Sequence, residues 1–192
     1  MRKIFPPLIG AMTVIPLLHG LAYAGQPSSP PTPQMRTYVS GGGNDNSGCT
    51  ATSPCKTFKA ALALTIAGGE IYVLDSSNYG AVTINKAVTI TSEGAVAGVL
   101  ATNGIAVTIS AGANDVVNLR GLDVDGGNSG AVGIQFNSGQ SLNIQKSTVR
   151  NFTNSGIGFA PSAGTSALFV SDTQVTNNGS NGILVEIGRA HV

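Results

Sequence analysis

The sequence predicts an all-β protein, a right-handed single-stranded parallel β-helix with a short N-terminal capping helix. Three observations predict it. Leu142-Asn-Ile144-x-x-Ser147-x-Val149-x-Asn151 superposes on Leu168-Phe-Val170-x-x-Thr173-x-Val175-x-Asn177, and Val117, Leu119, Leu122, Val124 and Gly126 follow the same pattern more loosely. Each copy is followed, after a glycine, by a second short apolar run: Gly133-Ile134-Gln-Phe136, Gly156-Ile157-Gly-Phe159 and Gly182-Ile183-Leu184-Val185. Apolar residues alternate inside these runs instead of recurring with helical spacing, so neighbouring copies are expected to stack as parallel strands around a shared interior.

The elements read as follows along the chain. Arg2 and Lys3 precede an apolar stretch from Ile4 to Leu21, and Ala22-Tyr23-Ala24 offers a small-x-small cleavage site. Residues 1–24 therefore read as a signal peptide cleaved after Ala24, which predicts a secreted, periplasmic or cell-surface product. Pro6, Pro7, Pro16 and His19 interrupt the run before it reaches the ~20 apolar residues of a span, so no membrane association is expected after cleavage. Residues 25–35, GQPSSPPTPQM, read as a linker, because proline lacks a donor and fixes φ.

Residues 36–69 are expected to form an N-terminal cap. Thr37-Tyr38-Val39 reads as a short strand and Gly41 to Gly48 as a loop. Cys49 and Cys55 follow, and in an exported chain their expected state is a disulfide. Zinc would need two more ligands, and the mature chain supplies almost no histidine. From Thr57 to Ile66 the spacing places Phe58, Ala61, Leu62 and Ile66 on one helical face, with Thr57 as N-cap and Gly68-Gly69 as the stop.

Residues 70–185 are expected to be the rungs, with Leu142, Ile144, Val149 and their equivalents turned inward. Asn151 above Asn177 has two readings, an amide ladder or ordinary turn chemistry. Turn composition also explains the sequons Asn151-Phe-Thr153 and Asn178-Gly-Ser180. Residues 186–192, EIGRAHV, break the repeat, and a widely used sequencing-adapter oligonucleotide encodes this heptapeptide in one frame. They are expected to be a non-native tail on a truncated fragment.

Residues 38–94, with YVSGGGNDNSGCTATSPCKTFKAALA followed by GGEIYVL and YGAVTINKAVTITSEG, resemble the opening of secreted β-helix repeat proteins of the pectate-lyase-like superfamily. The later repeats are similar too. The resemblance implies that the helix of residues 57–66 caps the N-terminal end of the coil and that rungs stack from Ile71 onward. Such a likeness specifies fold better than function.

Composition narrows the function. Charged residues make up 10% of the chain, and no lysines or arginines cluster, which argues against nucleic acid as a partner. With His19 in the leader and His191 in the tail, the remaining segment has no histidine for a Ser-His-Asp or Cys-His centre. The most acidic spot is Asp123 and Asp125, which flank Val124 and should both point outward. By the repeat, Thr148 and Gln174 succeed Asp123, while Arg150 and Thr176 succeed Asp125, so Asp125 can pair with Arg150. Lyases of the resembled superfamily use outward acids for Ca²⁺ and a basic residue to abstract a proton. That makes Asp123, Asp125 and Arg150 the candidate catalytic set and the two aspartates the Ca²⁺ candidates. A surface ion pair is the weightier reading, since calcium takes about six oxygen ligands and the adjacent rungs offer Thr and Gln.

The catalytic signatures of the resembled enzymes, such as Gly-His-Gly with three aspartates or Arg-x-Pro-x-x-Arg, do not occur in the sequence. The expected function is that of an exported non-catalytic repeat protein contacting polysaccharide at the cell surface or outside, with no cofactor. The alternative is a fragment of a polysaccharide lyase or glycoside hydrolase acting on uronic-acid polymers.

Overall fold

A computed structural model describes residues 32–162 and 165–186. The expected signal peptide, most of the linker and the tail after Glu186 lie outside the described residues. The chain opens with strand β1 (Gln34–Val39) and helix α1 (Phe58–Leu64). Successive triplets of strands then form the coils: β2 (Thr65–Val73), β3 (Ser77–Asn78) and β4 (Val82–Ile84); β5 (Val88–Thr91), β6 (Ala97–Leu100) and β7 (Ile105–Ser110). They continue with β8 (Val116–Arg120), β9 (Leu122–Asp125) and β10 (Val132–Ser138); β11 (Ser141–Gln145), β12 (Thr148–Arg150) and β13 (Ile157–Phe159); and β14 (Ala167–Ser171), β15 (Gln174–Thr176) and β16 (Ile183–Val185). The first strand of every triplet joins a six-stranded sheet in the order β1-β2-β5-β8-β11-β14, and the second and third strands build two five-stranded sheets. All these pairings are parallel, giving the expected β-solenoid.

Stacking is in register, and the aliphatic columns follow from it. Ile71, Ile90, Leu119, Ile144 and Val170 stand above one another in the first sheet, and Val99, Val124, Val149 and Val175 in the second. In the third, Ile109, Phe136, Phe159 and Val185 share a column, with the Phe136 and Phe159 rings stacked at 4.6 Å. Ile90, Leu119, Ile144, Val124 and Val149 are fully or almost fully buried. Burial of each such side chain contributes about 1.5–3 kcal/mol of transfer free energy. On the last coil Val170 and Val185 end their columns and Ile183 ends that of Ile134 and Ile157; all three are exposed, with no further strand over them among the described residues.

The first and second sheets meet at a tight corner that demands a left-handed residue. Gly121, Lys146 and Asp172 occupy it in successive coils at φ 74°, 48° and 48°. Beside them Ser147 and Thr173 point hydroxyls back to the carbonyls of Gln145 and Ser171, each at 2.8 Å. Asn151 and Asn177 hold the next corner, also left-handed at φ 63° and 54°. Turn chemistry is therefore what these asparagines supply. The Asn151 amide donates to Asp125 and not to an asparagine ladder.

The N-terminal end departs from expectation in three respects. The helix is shorter than Thr57–Ile66: it stops at Leu64, and Thr65 already has extended backbone and starts β2. Thr57 is the N-cap, accepting from the Ala60 N–H. At the other end Thr65 sends its hydroxyl to the Ala61 carbonyl and bonds Thr37 across the sheet. Pairing of Thr65 with Gln34 of β1 thus starts the strand, and Ile66 lies exposed within β2 instead of on the helical face. Gly68 and Gly69 are not a helix stop. They sit inside β2 at a register shift, where a Cβ on Gly69 would lie 2.6 Å from the Met35 carbonyl oxygen. The sheet also begins earlier than Thr37, since β1 takes in Gln34 and Met35.

Helix α1 buries Phe58, Ala61 and Leu62, with Phe58 against Tyr79 at 5.1 Å. Cys49 and Cys55 form the expected disulfide. Their loop bonds along the outer edge of β1, through Tyr38 N–H to the Cys49 carbonyl and Cys55 N–H to the Tyr38 carbonyl. Asp45 ties this loop to the helix by accepting from the backbone N–H groups of Lys56 and Thr57 and from the Thr57 hydroxyl. Among the described residues no helix is long and apolar enough to cross a membrane.

Candidate functional site

Among the described residues, two candidate sites on the outer surface bring polar side chains together. The first is the corner of β9 and β12, where Val124 and Val149 turn inward and the alternation sends Asp123, Asp125 and Arg150 out. The register pairs Thr148 with Asp123 and Arg150 with Asp125, as the repeat predicts. Arg150 does more than the expected single pairing. Its Nη1 and Nη2 grip both oxygens of Asp123 diagonally, the Nη2 contact being 3.1 Å, while its Nε forms an ion pair with Asp125 Oδ2 at 3.0 Å. Asp125 Oδ1 accepts from the Gly127 N–H at 2.8 Å and the Asn151 amide at 3.1 Å.

Electrostatics close this cluster on itself. Partial desolvation works to raise the Asp125 carboxyl, but the Gly127 N–H, the Asn151 amide and the Arg150 guanidinium outweigh it and hold the group below its ordinary range. The hydrogen bonds from Arg150 to Asp123, with both carboxylate charges, raise the guanidinium further above an already high value. A cation bound between the aspartates would have to displace Arg150. Arg150 itself could serve as a base only after losing its proton, which both carboxylates oppose. The arrangement is that of a three-residue ion pair, about one-third exposed. No group of three or more His, Cys, Asp or Glu side chains suited to a metal occurs among the described residues.

The second place is the outer face of the six-stranded sheet. Alternate residues of each strand point outward there, and parallel register aligns them into two rows along the solenoid axis. One row runs Arg36, Glu70, Thr89, Asn118, Asn143, Phe169, and the other Tyr38, Tyr72, Thr91, Arg120, Gln145, Ser171. Asn143 Nδ2 donates to Asn118 Oδ1 at 2.9 Å, and Asn118 Nδ2 to the Thr89 hydroxyl at 3.1 Å. An amide ladder thus exists in this protein, on a sheet face and not at the Asn151–Asn177 corner. Arg36 pairs with Glu70 at 2.6 Å, and Arg120 donates to Gln145 at 3.2 Å with the Glu93 carboxylate 3.6 Å away. Two open depressions lie on this face. One of about 470 Å³ is bordered by Arg36, Tyr38 and Glu70, and one of about 330 Å³ by Asn118, Arg120, Asn143 and Gln145.

Alternation within segments such as Val88-Thr-Ile-Thr91 carries the signal for these rows, but the repeat spacing does not align them. The strands that contribute Glu70, Tyr72 and Thr89 belong to coils of unequal length. Their register with Asn118 appears only when the strands are paired. A third polar cluster is structural: Asp75 accepts from the Gly41 N–H, the Ser40 hydroxyl and the Tyr79 hydroxyl, which hold its carboxyl below the usual range. Burial pushes the Tyr79 hydroxyl up, and the bonds of Asp75 to Ser40 and Gly41 fasten the cap loop to the first coil. Comparison of the chain with family models, curated proteins and solved structures finds no match.

Proposed function

We propose that this chain is a secreted, non-catalytic β-helix repeat protein of the pectate-lyase-like superfamily that contacts polysaccharide, at the cell surface or outside, through the outer face of its six-stranded sheet. The observation that carries this reading is the Thr89–Asn118–Asn143 ladder. A side-chain amide has two donors and two lone pairs. Each asparagine of the ladder therefore keeps hydrogen-bonding capacity directed outward after bonding its neighbour. Fixed amides at rung spacing suit a partner covered in hydroxyl groups. A disulfide persists in the oxidising conditions outside the cytoplasm, which supports the export half of the reading.

The test is binding of the mature chain to a panel of insoluble and soluble polysaccharides, with Asn118→Ala/Asn143→Ala as the comparison. Losing one or two net hydrogen bonds of about 1 kcal/mol each predicts an affinity drop of about tenfold. Absence of binding across the panel would reject the reading. Release of unsaturated uronates from polygalacturonate with Ca²⁺, abolished by Asp125→Ala, would replace it with a lyase fragment.

A further inference from the structure

The two outward rows differ along their length, and the difference specifies a kind of ligand. At the N-terminal end Tyr38 and Tyr72 stand side by side in the second row, ring centroids 6.2 Å apart and planes inclined at 62°. Both are half-buried and both point out of the sheet. Such an edge-to-face contact is a favoured aromatic arrangement, and Tyr38 of this pair also borders the depression at Arg36 and Glu70. One coil further on, Thr91 is small and almost covered, so the row dips before it rises again to Arg120 and Gln145. Six rungs at about 4.8 Å spacing give the rows a length of about 24 Å, a span that about five pyranose rings laid end to end would cover.

Charge narrows the ligand further. Each cation on the two rows already has a carboxylate beside it, Arg36 with Glu70 and Arg120 with Glu93. What the face leaves unpaired is amide, hydroxyl and aromatic surface. A polyanion would meet no excess of positive charge there, whereas an uncharged polyhydroxy chain would meet a complementary surface. Sugar rings also carry an apolar C–H face that packs on an aromatic ring, as other flat amphipathic groups do.

From this juxtaposition we propose that the face is a track for a neutral linear polysaccharide lying along the solenoid axis, with one ring stacked on the Tyr38–Tyr72 pair and the following rings bonded to Asn118, Asn143 and Gln145. The proposal rests on the polysaccharide reading above and adds the ligand's charge, its direction and the anchoring tyrosines. Tyr38 and Tyr72 lie on the outer surface, so substitution leaves the interior columns intact.

The experiment is titration calorimetry of the mature chain with linear neutral β-1,4-linked gluco-, manno- and xylo-oligosaccharides of two to eight units and with oligogalacturonates of the same lengths. One neutral series is expected to bind with affinity that rises up to five or six units and then levels off. Tyr72→Ala is expected to weaken the hexamer about tenfold, while Tyr72→Phe, which keeps the ring, stays within about twofold. Circular dichroism and the unfolding midpoint of each variant report whether it has folded. Equal affinity of trimer and hexamer, an unchanged Kd in Tyr72→Ala, or tighter binding of the oligogalacturonates would overturn the neutral track and leave polysaccharide contact standing. Failure of every saccharide and every polysaccharide of the wider panel would overturn both.

Discussion

Replacing Gly121 with alanine probes the tight corner that joins the first and second sheets. Two costs add at this position. A left-handed backbone, here at φ 74°, is roughly 1–2 kcal/mol less favourable once a Cβ is present. The new methyl would also press on the coil below, inside contact distance of the Ser92 carbonyl oxygen and 3.2 Å from its carbonyl carbon. Overpacking against backbone that cannot swing away costs about 1–3 kcal/mol. The expected loss is therefore about 2–5 kcal/mol, a large part of the roughly 5–15 kcal/mol that holds a domain folded. Lys146 provides the control, because it holds the same corner one coil later at φ 48° with a full side chain. Lys146→Gly relieves the left-handed strain but enlarges the freedom of the unfolded chain, so its net effect should stay within about 1 kcal/mol. Urea unfolding followed by circular dichroism measures both variants. With a slope of about 2 kcal/mol per molar, Gly121→Ala should lower the midpoint by about 1–2.5 M. A midpoint within about 0.3 M of the parent would refute the reasoning, since it would mean that the corner and its neighbouring coil yield freely.

Arg150→Ala should remove about 1–2 kcal/mol at neutral pH, because it leaves two aspartates on one strand without their shared partner and the ion pair is only partly shielded from water. The Asp125 carboxyl is depressed in the folded state, so its contribution is present above its unfolded pKa of about 3.9 and fades as pH falls through the folded value. Urea midpoints of parent and variant should therefore converge in acid, and a gap that persists unchanged at pH 2 would contradict the assignment. Cys49→Ser/Cys55→Ser should cost about 2 kcal/mol, the loop-closure value for so short a loop, visible as a lower melting temperature that no longer responds to dithiothreitol.

The repeat was legible because it is written in its interior. Leu142 and Leu168, Ile144 and Val170, and Val149 and Val175 pair in the structure as they align in the sequence, and the Asp123, Asp125 and Arg150 register follows from the same alternation. Less was legible where tertiary pairing decides between local options. Thr65 and Ile66 continue an acceptable helical face, yet the pairing of Thr65 with Gln34 of β1 starts the strand there. Gly68 and Gly69 look like a stop signal and instead serve a bulge. The outer rows were hidden for a different reason. Ser92 to Val96 form a broad corner where later coils have Gly121 or the Lys146–Ser147 pair, so the early coils do not share the spacing of the late ones. Arg150's diagonal reach to Asp123 depends on the length of a guanidinium side chain and not on strand register.

Vertical stacking also governs how a chain of this kind can grow or shrink. Excising residues 142–167 would set Leu168 on Val117, Val170 on Leu119, Val175 on Val124 and Ile183 on Ile134, each an aliphatic residue on another aliphatic residue. The molecule would lose one storey and keep its interior. Removing an odd number of residues from within a strand would instead turn every inward side chain of that segment to water. Length in this architecture is therefore quantised: whole storeys come and go, surface loops vary freely, and little is tolerated between those two scales.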